Sequence, residues 1–156
     1  MLGVELRFPP TPGHVRTARL VAVAVARRAH LDEDRLDELR LAVGEACARA
    51  VRRCQIADCS MAVVLTVDDS GPGLVVEVTD AAPAQLGEGS WAEDGAEGDR
   101  VGDQKEALDR AEPVVLALLR GLADAVEVLD GGGGIGGRVR MEWWPVPAPP
   151  SRRRLA

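Results

Sequence analysis

The chain has 156 residues, enough for one domain with a true core, and 46% of them are apolar, which excludes a disordered polypeptide. The formal net charge of −6 excludes a general nucleic-acid binder, and with aromatics at only 3% and no tyrosine the core must be Leu, Val and Ala. The three cysteines, Cys47, Cys54 and Cys59, form an odd set with no C-x2-C pair and no signal-peptide pattern before them. That usage implies reduced thiols in a cytoplasm and no metal site. The longest apolar run, Leu20 to Ala26, falls far short of the ~20 residues of a membrane span.

Taken in order, Leu2 to Phe8 alternates as a strand, with Val4, Leu6 and Phe8 on one face and Glu5 and Arg7 on the other. Pro9 and Pro10 end it. Thr11 then caps a helix with Pro12 at its first position, running to about Ala29. Its buried stripe is Val15, Ala18, Ala22, Val25 and Ala29, and Arg16, Arg19, Arg27 and Arg28 lie outside that stripe. A second, longer helix spans Asp32 to Cys54. Asp32 is a good N-cap, and Leu36, Leu39, Val43, Cys47, Ala50 and Cys54 recur at steps of three and four as one apolar stripe. Glu45, Arg49 and Arg52 fall on the opposite side. There they form either a solvated face with an ordinary i, i+4 pair or the floor of a site.

Beyond Cys54 the period changes. Met61 to Val67 and Leu74 to Thr79 are rich in β-branched residues, and the turn DDSGPG between them predicts an antiparallel hairpin ending at Asp80. From Ala81 to Gly102 the chain is small, acidic and glycine-rich, which predicts a lid or a disordered loop, with Trp91 its one bulky residue. Gln104 to Arg110 gives a short helical piece, Pro113 punctuates, and Val114 to Asp124 is a helix with Val115, Leu118, Leu119 and Leu122 as its apolar face. Ala125 to Leu129 and Arg138 to Trp144 are strands joined by a glycine-rich turn. The stretch 145–156 is a proline- and arginine-rich free end. This order predicts an α/β two-layer sandwich: a mixed, mostly antiparallel sheet with helices on one face.

Three stretches carry a resemblance: DELRLAVGEACARAV (Asp37 to Val51), VEVTD (Val76 to Asp80) and LALLRGLADAVEV (Leu116 to Val128). Together with the element order they make the chain resemble the anti-sigma-factor serine kinases of bacteria, small regulators with the histidine-kinase-like ATPase (Bergerat) fold. The resemblance implies that Glu45 stands where the family has a general base for a serine hydroxyl. It places Arg49 where an asparagine ligates Mg²⁺, Asp80 where an aspartate accepts the adenine amino group, and Ala82, Ala84, Val115, Ala117 and Gly136 at positions of the nucleotide loops. It implies ATP and Mg²⁺ as cofactors if the site is active. Its partners would be a sigma factor or an anti-sigma-factor antagonist domain, engaged through Arg16 and Arg19 on the first helix, with a homodimer through the N-terminal edge strand.

The residues depart from that pattern where nucleotide chemistry is most demanding. Arg49 has five donors and no acceptor, so it cannot ligate Mg²⁺ and is free to pair with Glu45 as a plug. Ala82, Ala84, Val115 and Ala117 add a Cβ where the family has glycine, and Gly136–Gly137 replaces Gly-Thr. These departures predict a pseudokinase that keeps the fold, takes no cofactor and acts by binding a protein, with no nucleic acid or membrane as partner. The alternative is an active ATP-dependent protein-serine kinase. A third reading, a remodelled pocket for another small molecule, finds no ligand named in the sequence.

Overall fold

The structure, a computed structural model, describes residues 3–83, 97–130 and 135–145. In chain order the elements are β1 (Val4–Phe8), α1 (Val15–Arg28), α2 (Glu33–Ile56), β2 (Val63–Asp68), β3 (Leu74–Pro83), α3 (Glu97–Leu122), β4 (Ala125–Asp130) and β5 (Ile135–Trp143). The strands form one sheet in the order β1-β2-β3-β5-β4, and every pair is antiparallel. The expected two-layer sandwich is therefore observed.

Alternation in the strands becomes continuous rows across the sheet. Val4, Val67, Val76, Met141 and Val126 stand opposite one another, as do Leu6, Leu65, Val78, Val139 and Val128. These rows face the helices. Val67, Val76 and Met141 have no exposed surface, and each fully buried side chain of this size contributes roughly 1.5–3 kcal/mol relative to water. The row Glu5, Thr66, Glu77, Arg140, Glu127 belongs to the other, open face.

The helices begin and end for local reasons. A 3-10 turn at Pro12–His14 leads into α1. Asp32 caps α2 by accepting a hydrogen bond from the Arg35 amide at 2.9 Å, and Glu33 and Asp34 fill its first turn. Both α1 and α2 stop in the same way. His30 (φ 61°) and Asp58 (φ 48°) adopt the left-handed conformation, and the next amide folds back: Leu31 N–H to Ala26 O at 3.1 Å, Cys59 N–H to Cys54 O at 2.8 Å. This is the Schellman ending with a non-glycine residue at its turning point. The six predicted stripe residues of α2 are all buried.

Three expectations are corrected. The hairpin does not end at Asp80, because β3 runs on to Pro83 with a register irregularity between those residues. The two helical pieces around Pro113 are a single helix, α3, with Pro113 inside it. Pro113 is exposed, while Leu108, Val115 and Leu119 are buried in phase on either side of it. Their packing outweighs the ~3 kcal/mol that an interior proline costs. Leu118, expected on the apolar face, is 38% exposed. Of the stretch 81–102, Ala81 to Pro83 belong to β3 and 97–102 to α3. Ala84, Trp91 and the basic tail after Pro145 lie outside the described residues.

Candidate functional site

Along α2 a second line runs beside the apolar stripe: Ala42, Ala46, Arg49, Arg53, at steps of four, three and four. All four are buried, the two arginines at 4% and 7% exposure. The helix is therefore covered on more than one side, by α1, α3 and β3 together. The small alanines let neighbours approach at one end, and the arginines reach out to carboxylates at the other. The expected solvated face does not exist at Arg49; of the three residues placed there, Arg52 is exposed and Glu45 half-buried.

Arg53 belongs to Asp80. Its Nε donates to Asp80 Oδ2 at 3.1 Å and one Nη to the Pro83 carbonyl at 2.9 Å. The other carboxylate oxygen, Oδ1, accepts from the Ala82 amide at 3.0 Å. Asp80 is 3% exposed. Burial pushes its carboxyl up from the ordinary range, opposed by the Arg53 guanidinium, the Ala82 N–H and Arg49.

Two glycines on β5 make room for this pair. Gly136 has φ +84°, and a Cβ there would stand 2.5 Å from the Asp80 carbonyl oxygen. A Cβ on Gly137, which registers with Asp80, would lie 3.3 Å from Asp80 Oδ2 and 3.4 Å from an Arg53 Nη.

Arg49 is held by Glu112 of α3, not by Glu45, and this corrects the expected plug. Its Nε donates to both Glu112 oxygens at 2.8 and 2.9 Å and one Nη to Oε1 at 2.5 Å, a bidentate pair with the Arg49 side chain 5% and the Glu112 side chain 27% exposed. Glu112 sits in the stretch that Pro113 seemed to interrupt, so nothing in the local pattern pointed to it. Arg53 was legible only through its step of four from Arg49.

The other predicted positions scatter. Ala82 is fully buried at the end of β3, while Val115 and Ala117 lie within α3, the first buried and the second exposed. Neither stands in a loop where a glycine would be required. Arg16 is exposed, and Arg19 is half-buried, its Cδ 3.0 Å from where a Cβ on Gly44 would be. A groove of about 330 Å³ between α2 and α3 is lined by Arg52, Gln55, Ile56, Gln104 and Leu108, but by neither Asp80 nor Glu45. Among the described residues no three His, Cys, Asp or Glu side chains gather as metal ligands, and no helix is long and apolar enough to cross a membrane.

The fold is a two-layer sandwich: an antiparallel sheet backed by helices, with the Asp80 carboxylate on its central strand facing the long second helix. The histidine kinase-like ATPase domain matches residues 8–143, and the chain belongs to that family. No curated protein matches it.

Proposed function

We propose that the chain is a non-catalytic regulator of the anti-sigma-factor type, a pseudokinase that acts by binding a protein in bacterial transcription control. The observation that carries this reading is the pair of buried arginines on α2, Arg49 closed on Glu112 and Arg53 closed on Asp80. Arg49 offers only donors where Mg²⁺ needs an oxygen. Asp80 is 3% exposed and each of its oxygens already accepts one hydrogen bond, so an adenine amino group would have to open a buried ion pair to reach its remaining lone pairs. The partners that fit are a sigma factor or an antagonist domain. They would meet Arg16, Arg19 and Leu20 on α1, the last 62% exposed.

Isothermal calorimetry with Mg-ATP tests the reading. We expect no binding below millimolar concentration for the natural chain or for Arg49→Asn, since restoring one amide leaves Asp80 occupied. Micromolar affinity in the natural chain overturns it. The active-kinase alternative rests on Glu45, half-buried one turn from Arg49 and not consumed by it. Transfer of labelled phosphate to an antagonist domain, lost in Glu45→Ala, would establish that alternative.

A further inference from the structure

The way α2 stops brings two thiols together. In a Schellman ending, the residue after the left-handed position folds its side chain back onto the third-last residue of the helix. Here those two residues are Cys59 and Cys54, joined by the amide-to-carbonyl bond of 2.8 Å, with the second bond of the motif from Asp58 N–H to Gln55 O at 3.2 Å. The two positions usually filled by aliphatic groups in this motif are here both cysteines. Cys54 has no exposed surface, whereas Cys59 is half-buried. Cys47 lies two turns away along α2, about 10 Å, beyond the ~4.4–6.8 Å between Cα atoms that a disulfide allows.

We propose that Cys54 and Cys59 form a modification site, in which a peroxide oxidises Cys59 and Cys54 closes on it as a reversible intrachain disulfide. The Cys59 thiolate attacks one oxygen of hydrogen peroxide, the O–O bond breaks, and the departing hydroxide takes up the thiol proton as water. The Cys54 sulfur then attacks the Cys59 sulfenic sulfur. The S–O bond breaks, and the hydroxide released takes the Cys54 proton as a second water. Two thiols and one peroxide give one disulfide and two waters, and a dithiol reductant reverses the step. The bond forms against the strand of the candidate site. Arg53, whose side chain holds Asp80, precedes Cys54 in the chain, and both Cys54 and Ala82 of β3 belong to the buried core. Drawing that sulfur toward Cys59 moves a buried core group at this end of β3.

The test treats the full chain with hydrogen peroxide, traps free thiols with N-ethylmaleimide in denaturant, and reads mass. The expected product is two hydrogens lighter, takes up one maleimide instead of three, yields a linked Cys54–Cys59 peptide and is restored by dithiothreitol. Cys47→Ser forms the same bond and takes up no maleimide instead of two, and Cys59→Ser forms no intrachain bond. Recovery of three maleimides, of Cys59 as a sulfinic acid beside free Cys54, or of a bond between two chains overturns the proposal. Hydrogen exchange at the Ala81 and Ala82 amides should quicken on oxidation; a linked peptide with unchanged exchange there overturns the connection to the site. The mass and peptide readouts follow sulfur alone and stand whether or not a nucleotide binds.

Discussion

The two faces of the sheet use arginine against carboxylate to different ends. On the helix-covered side, Arg53 and Asp80 meet at 9% and 1% side-chain exposure. On the open side, Arg140 reaches Glu77 at 3.1 Å and Glu142 at 2.9 Å with its side chain 35% exposed. The distances are alike and the energetics are not. On the open face, water already solvates each charge, so a pair adds roughly 0–1 kcal/mol. Inside, each charge has lost its water, and the partner becomes obligatory rather than merely helpful. The contrast teaches that a buried pair must be read as a fixed plug, while the surface ladder can be rearranged at little cost.

The sharpest way to break that contrast is Asp80→Ala, which strands Arg53 in a dry site. Urea unfolding should show a loss of about 3–5 kcal/mol, and replacing both partners by apolar residues (Arg53→Met with Asp80→Leu) should recover most of it. A loss for the single variant as small as that of a surface pair would erase the difference between the faces.

Burial also keeps neutral groups neutral. Desolvation pushes the Cys47 thiol up from 9.0 to about 12, with Arg19 pulling the other way, and Cys54 up to about 11, again chiefly by burial. A folded-state pKa above the unfolded one means that the stabilisation is whole below about pH 9 and is lost as pH rises toward 12. For Cys47 three units correspond to about 4 kcal/mol across that window. The chain has no tyrosine, and Lys105 is its one lysine, so few other groups titrate there. Unfolding measured from pH 8 to 11 should show the decline, and Cys47→Ala should flatten it; equal slopes in both proteins would contradict it.

Arg140→Ala is the control at the small end. It should cost no more than about 1 kcal/mol in the same urea assay, with any effect reduced at high salt. A larger cost would mean that the open face is covered in solution.

Most of the architecture was legible because hydrophobic periodicity is a local property. The stripe from Leu36 to Cys54, the hairpin around DDSGPG and the alternation from Arg138 to Trp143 each announce their element without reference to a neighbour. The misreadings share one cause, which is competition between a local signal and packing. Pro113 looked like a stop because its ring denies a hydrogen bond, yet the buried residues around it carry the helix through. The ends of α1 and α2 fall within two residues of the expected Ala29 and Cys54, although His30 and Asp58 turn left-handed there without a glycine.

The sequence by itself determined the order of elements and the sandwich, since these follow from side-chain type and spacing. Tertiary structure alone decided that Arg49 closes on Glu112 and Arg53 on Asp80. Those partners are 63 and 27 residues apart in the chain. Which carboxylate a buried guanidinium takes is settled by what the folded backbone places beside it in the absence of water, and no local pattern encodes that choice.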